Sequence, residues 1–273
     1  MIGRDMKGLL KKILPPIFED IRKAFKPVHF LGPYGTLEEA KSQVRTKAFE
    51  SKAWIQNTLD KFDRVPGLKD GFFPQHQFLL STLLSLETYR GRVKCVDLGG
   101  GAGEIVPILM SQVKHADHVA YFIMDNSVLI EHGRERLPSV TFIDYKKASP
   151  EEIAQLRDAD LLFMSSVLHY IEDWEAALSY IKNELRPRQL VICRHYSPDN
   201  NDKVIYATQR IYTKFGYCGE EAITLINHQL VAEALEPVYR RVIAAVADEP
   251  DYFPKSFHPC MMRERTLTFE RVV

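Results

Sequence analysis

The run Val96-Asp97-Leu98-Gly99-Gly100-Gly101-Ala102-Gly103 sets a carboxylate just ahead of four closely spaced glycines. Glycine lets a backbone turn sharply and meet a ligand with no side chain between them, and the free N–H groups of a helix after such a turn attract a carboxylate or phosphate. A turn that only joins a strand to a helix uses the same residues, so the charges around it decide what it holds. Counting from Gly99 and Gly101, Glu104 stands where the dinucleotide fingerprint requires Gly or Ala. Asp97 would also lie beside a pyrophosphate, and like charges brought together at a partly desolvated site cost free energy. A ligand with a cationic head fits better, which disfavours a nicotinamide-dependent oxidoreductase. S-adenosylmethionine carries a sulfonium and an ammonium beside a single carboxylate.

Further residues fall in step with that reading. Asp125 lies twenty-two residues beyond Gly103, about where a carboxylate accepts both hydroxyls of a ribose, with Asn126 to assist. The same pair suits the cap of a helix beginning near Val128. Asp144 and Tyr145 can meet the edge and face of an adenine, although turn chemistry alone also favours Asp there. Methyl transfer from a sulfonium is an in-line displacement that needs an aligned nucleophile about 3 Å away and exclusion of water. For a hydroxyl acceptor a base removes the proton, and histidine serves most often near neutral pH. His169 and His195 are the candidates, each equally suited to a hydrogen-bonded structural role; Tyr170, Arg194 and Tyr196 frame the acceptor side. The run Asp199-Asn200-Asn201-Asp202 offers hard oxygen ligands, but Ser165 and Ser166 stand where an acidic partner would be wanted. It reads as a solvated turn, with no metal site.

The elements that must position these residues follow from periodicity. From residue 92 onward, short apolar runs alternate with helical patterns, which predicts βαβ units and a parallel sheet. Strands are expected over 92–98, 119–124, 140–143, 160–165 and 189–193, and helices over 105–113, 128–137 and 174–185, the last capped by Asp173. Another helix opens at Ser149-Pro150-Glu151-Glu152. Every candidate ligand residue then ends a strand, at the carboxyl edge where doubly wound sheets bind ligands. A helix over 220–235 leads to strands over 238–246 and 265–273, which have no helix between them and so pair antiparallel or lie apart. Upstream, 30–35 reads as a loop, Thr36-Leu37-Glu38-Glu39 as a capping box, and helices follow from Leu37, over 49–62 and over 75–88. Residues 1–90 are therefore expected to form a helical extension and lid, and 91–273 the cofactor-binding domain.

Composition bounds the rest. The chain has 273 residues, with 36 Lys plus Arg against 36 Asp plus Glu, so its net charge is 0 and a dedicated nucleic-acid partner is not expected. No apolar stretch approaches a membrane span, and Lys11-Lys12 interrupt any signal-peptide core, which predicts a cytoplasmic protein. Its four cysteines are too dispersed for a zinc grip and read as reduced thiols. Residues 1–26 hold seven basic and three acidic side chains around an amphipathic pattern broken by Pro15-Pro16. That segment suits an anionic membrane surface, its own domain or the second subunit of a homodimer.

Asp97-Leu98-Gly99-Gly100-Gly101-Ala102-Gly103 resembles motif I of class I S-adenosylmethionine-dependent methyltransferases, and Asp125, Asp144 and Ser165-Ser166-Val167-Leu168-His169-Tyr170-Ile171-Glu172-Asp173 match the later motifs in order. The resemblance implies an α/β, Rossmann-like class I fold with a seven-stranded, mostly parallel sheet whose last strand is antiparallel. It implies S-adenosylmethionine as cofactor, held by Asp97, Gly99, Gly100, Gly101, Gly103, Asp125, Asn126, Asp144, Tyr145 and Ser165. The segment from Phe30 to Ala40 resembles methyltransferases encoded in bacterial surface-polysaccharide gene neighbourhoods, which implies a small-molecule or glycan acceptor and O-methylation. A cofactor-binding module without turnover fits the same motifs.

Overall fold

The runs Val93–Leu98 (β2), Val119–Asp125 (β3), Thr141–Asp144 (β4) and Leu161–Ser165 (β5) are largely buried, the signature of strands covered on both sides of a parallel sheet. The computed structural model describes residues 29–64, 74–199, 204–213, 216–247 and 262–272. In it these strands join Gln189–Pro198 (β6), Tyr239–Ala247 (β9) and Met262–Arg271 (β10) in one seven-stranded sheet of order β4-β3-β2-β5-β6-β10-β9. The first five strands run parallel, while β10 lies antiparallel between β6 and β9. This is the expected α/β, Rossmann-like fold of seven mostly parallel strands, with the last strand reversed.

Helices cover both faces. Pro74–Arg90 (α3), Val106–Gln112 (α4) and Ser127–Arg136 (α5) follow or precede the strands on one side, where Leu79, Leu83, Leu109 and Ile130 pack against Cys95, Ile123 and Phe163. On the other side, Pro150–Leu156 (α6), Trp174–Tyr180 (α7) and His228–Leu235 (α8) bury Leu156, Leu178, Val231 and Leu235 against Val96, Leu162, Ile192 and Phe269. Ser149 caps α6 through a complete capping box and Asp173 caps α7 through Ala176 N–H. Thr36 caps Leu37–Ser42 (α1) through Glu39 N–H, but the Glu39 carboxylate reaches Gly35 N–H instead of the cap residue itself.

Two expectations are corrected. Residues 30–35, read as a loop, contain strand Phe30–Tyr34 (β1), and the expected helix over 220–235 is strand Gly216–Ile226 (β8) followed by the shorter α8. With Val204–Thr213 (β7), which the sequence reading left unassigned, they form a second, antiparallel sheet of order β1-β7-β8. The physical reason is pairing: β7 and β8 make a ten-position ladder with one irregularity, and Phe30, Ile205, Ala207, Ile223 and Leu225 bury against Tyr196 and Met262. Glu220 and Glu221 turn to Arg45 N–H and Phe49 N–H, which ties the segment between α1 and helix Lys52–Arg64 (α2) to this sheet. Residues 1–26, expected to be an amphipathic basic arm, lie outside the described residues, as do Cys260 and Asn200-Asn201-Asp202.

Candidate active site

The glycine turn joins β2 to α4 at the carboxyl edge of the sheet. Gly99 N–H donates to Met124 O at 2.8 Å, so the turn is pinned to the neighbouring β3. Gly99 has φ +77°, a region costly for L side chains, and an added Cβ would lie 2.3 Å from Val167 Cγ2. Val167 belongs to the β5–α7 loop, so the loop that carries His169 packs directly against the turn.

Asp97 lies beneath this turn, 5 % exposed, and accepts a hydrogen bond from Tyr121 Oη at 2.9 Å. Burial pushes its carboxyl up to about 7, against the pull of the Tyr121 hydroxyl and with help from the nearby charges of Asp125 and Glu104. Asp125 ends β3 and receives Gly101 N–H at 2.8 Å and Asn126 N–H at 2.6 Å. Burial raises its pKa too, opposed by those two N–H groups. Asn126 does two things: its carbonyl caps α5 at Leu129 N–H, and its amide donates to Asp125 Oδ1 at 3.0 Å. At the end of β4, Asp144 is buried and accepts Lys146 N–H at 2.9 Å, while Tyr145 is 53 % exposed beside it. Ser165 closes β5 next to β2. Gly101, Asp125 and Asn126 are thus linked through one network, with Asp144 in register with Asp125 across β3 and β4.

On the acceptor side, His169 sits in a short 3-10 turn, 1 % exposed, between the rings of Tyr170 and Tyr196 at 4.2 and 5.3 Å. Neither of its ring nitrogens, nor Ser166 Oγ, has a hydrogen-bond partner among the described residues, although all three are buried. Buried polar groups are nearly always paired, so these three atoms are candidates to bond a water or a ligand. Desolvation, with His195 and Arg194 nearby, drives the His169 pKa to about 3, so the ring is neutral at physiological pH. His195 differs: its Nε2 meets Ile226 O at 2.8 Å, which fixes that nitrogen as the N–H donor and anchors β8. Its pKa, lowered to about 4 mainly by burial, also keeps it neutral. The second sheet roofs the cluster, with Phe49 against Tyr170 at 4.9 Å, Phe30 against Tyr196 at 5.4 Å, and Tyr170 Oη donating to Gln209 on β7 at 2.5 Å. Lys41 on α1 pairs with Glu172 at 2.8 Å and latches the upstream segment to the His169 loop.

Asp199 is engaged by Arg263 and Arg265 at 2.7 and 2.5 Å, not turned to solvent. Sequence reasoning missed Tyr121 and Gln209, whose roles depend on neighbours across strands. It also listed Ser166 only as a non-acidic residue, and the signal for it was its place beside Ser165 at a strand end.

Residues 96–193 match the family model described as a methyltransferase domain. That stretch spans the glycine turn, Asp125, Asp144 and the His169 loop. A magnesium protoporphyrin IX methyltransferase from Synechocystis PCC 6803, crystallised with bound S-adenosylhomocysteine, shares 14% identity at a TM-score of 0.47, over 82% of this chain and 99% of that one. The CcbJ methyltransferase from Streptomyces caelestis is 12% identical at a TM-score of 0.47, over 78% and 96%. An S-adenosylmethionine-dependent methyltransferase from Clostridium acetobutylicum is 11% identical at 0.45, over 78% and 98%. No protein of curated function matches the chain in sequence. The donor set fits S-adenosylmethionine, with buried carboxylates for an ammonium and a ribose beside a glycine turn. Among the described residues, no helix is long and apolar enough to cross a membrane and no cluster of metal ligands occurs.

Proposed function

We propose that this protein is an S-adenosylmethionine-dependent methyltransferase acting on a hydroxyl of a small molecule or glycan, with His169 as general base. The observation that carries the reading is the buried, unpartnered His169 ring on a loop whose Val167 touches the glycine turn. The cofactor, when bound, supplies an electrophilic methyl group. Asp97 would face its ammonium group, Asp125 with Asn126 its ribose, Asp144 and Tyr145 its adenine, and Ser165 would complete the pocket wall. Gly99, Gly100 and Gly101 would form the turn beside it, while Gly103 has no room for a side chain against Ile123 and Leu137. Tyr170, Tyr196 and the roof of Phe30 and Phe49 exclude water from the acceptor.

The low pKa of His169 is compatible with this role. A neutral imidazole accepts a hydrogen bond from the acceptor hydroxyl and then its proton, and the ring becomes cationic only as the adjoining site gives up one positive charge. Charge moves a short distance and is not created in a dry pocket. His195, committed to Ile226, would hold the roof rather than react. Of the expected 1–90 unit, residues 29–64 would serve as the lid on the acceptor side, which the Lys41–Glu172 pair supports, whereas α3 packs into the main sheet.

The test is incubation with isotopically labelled cofactor and fractionated glycans, lipids and metabolites. The expected result is label in an alkali-stable ether, reduced about 10²- to 10⁴-fold by His169→Gln with S-adenosylhomocysteine binding retained. Label on nitrogen, or full activity of H169Q, would refute the assignment.

A further inference from the structure

A buried carboxylate that must meet a cation needs something to hold it ionised and aimed. Tyr121 on β3 is paired with Cys95 on β2, two residues before Asp97, which puts its ring on the same face of the sheet as the Asp97 carboxyl. Both Tyr121 and Asp97 are buried, at 2 % and 5 % exposure, and the 2.9 Å bond from Tyr121 Oη goes to Oδ2 alone. A Cβ placed on Gly100 would come within 2.8 Å of the Asp97 carboxyl, so the group lies directly against the backbone of the turn. We propose that Tyr121 is a positioning residue for cofactor binding, its hydroxyl fixing Asp97 under the glycine turn with Oδ1 left for an ammonium group. This rests on the reading of the turn as the S-adenosylmethionine site.

The surroundings explain why such a donor is required. Asp97 is faced by Tyr121 and Asp125 from β3, Cys95 from its own strand, Cys193 from β6 and Glu104 from the turn. None of these is a cation. The carboxylates oppose its ionisation, the thiols stay protonated because burial raises both, and the Tyr121 hydroxyl is the neighbour that favours the charged form. Without the hydroxyl, Asp97 would keep its proton to higher pH and present a neutral group to the ligand's cation.

The experiment is calorimetric titration of the full chain with S-adenosylhomocysteine and, separately, with adenosine, which has the nucleoside but no ammonium, from pH 6 to 9. For the wild type, S-adenosylhomocysteine affinity should weaken as pH falls through about 7, and adenosine affinity should not. Tyr121→Phe should move that fall upward by about one pH unit, so that binding at pH 7 is about fivefold weaker while the two proteins converge at pH 9. A wild-type pH profile in Y121F, or an equal loss for adenosine, would overturn the positioning role. Should Y121F not fold, Asp97→Asn decides: weak, pH-independent S-adenosylhomocysteine binding supports the proposal, and a surviving fall near pH 7 overturns it. A wild-type protein that binds neither compound at any pH would instead overturn the cofactor site itself.

Discussion

Asp97 should destabilise the free protein as pH rises, and Asp97→Asn should remove that penalty. In the unfolded chain the carboxyl loses its proton near 3.8, whereas in the folded protein burial holds the proton to about 7. Between those values the native state binds more protons than the unfolded state, so stability declines with increasing pH and the loss is complete above about 7. At about 1.4 kcal/mol per unit, the gap between 3.8 and about 7 corresponds to about 4 kcal/mol for this nearly fully buried group. Asn is close to isosteric, accepts the Tyr121 hydrogen bond and does not titrate. Urea unfolding of both proteins at half-unit steps from pH 4 to 8.5 gives the difference directly, with other ionisable groups cancelling. D97N should match the wild type near pH 4 and exceed it by about 4 kcal/mol at pH 8. Saturating S-adenosylhomocysteine should narrow the gap at pH 8, because only the wild type gains a counter-charge. A difference that stays flat across the range would show that Asp97 is not held near 7, and the electrostatic account of the site would fail with it.

Gly99→Ala should lose about 1–2 kcal/mol from the backbone at φ +77° and more from the Cβ contact with Val167. Val167→Ala in that background should restore the contact part alone, and zero coupling in the double-mutant cycle would contradict the packing of loop on turn. His195→Phe should cost about 1–3 kcal/mol by stranding the Ile226 carbonyl, with S-adenosylhomocysteine affinity unchanged; an unaltered melting temperature would show that His195 does not anchor β8.

The main sheet was legible because its five parallel strands are buried runs and the first four in the chain are each followed by a helix, a pattern set by covering both faces. The second sheet was not. Ala222, Ile223, Leu225 and Ile226 suit the face of a helix as well as a buried strand, and what decides is the ladder to β7, which local periodicity does not contain. Val204 to Thr213 is rich in β-branched and aromatic residues, so β7 was open to a propensity argument. Among site residues, Asp97, the glycines and Asp125 follow from spacing along one loop and two strand ends. Tyr121 does not, because its meaning lies in the register that sets it beside Cys95.

The same register gives a reason to place function at one edge of the sheet. Asp97 is a carboxyl buried among groups that mostly oppose its charge, His169 and Ser166 are buried without partners among the described residues, and Ser166 and Arg194 hold left-handed backbones at φ 57° and 51°. Each such feature costs folding free energy, on the order of 1–3 kcal/mol for an unpaired polar group or a strained residue. Similar features occur elsewhere in the chain, at the left-handed Asp158 and Arg186 and at the buried Thr268 Oγ1, also unpartnered among the described residues. Here they end β2, lie within the β5 loop and interrupt β6, three adjacent strands, and Ser166 N–H bonds Cys193 O beside Arg194. Packing alone would have removed them by simple substitutions, such as Asn for Asp97. On the proposed function, a cofactor that brings a cation to Asp97 and an acceptor that brings a hydroxyl to His169 would turn those costs into binding and orientation.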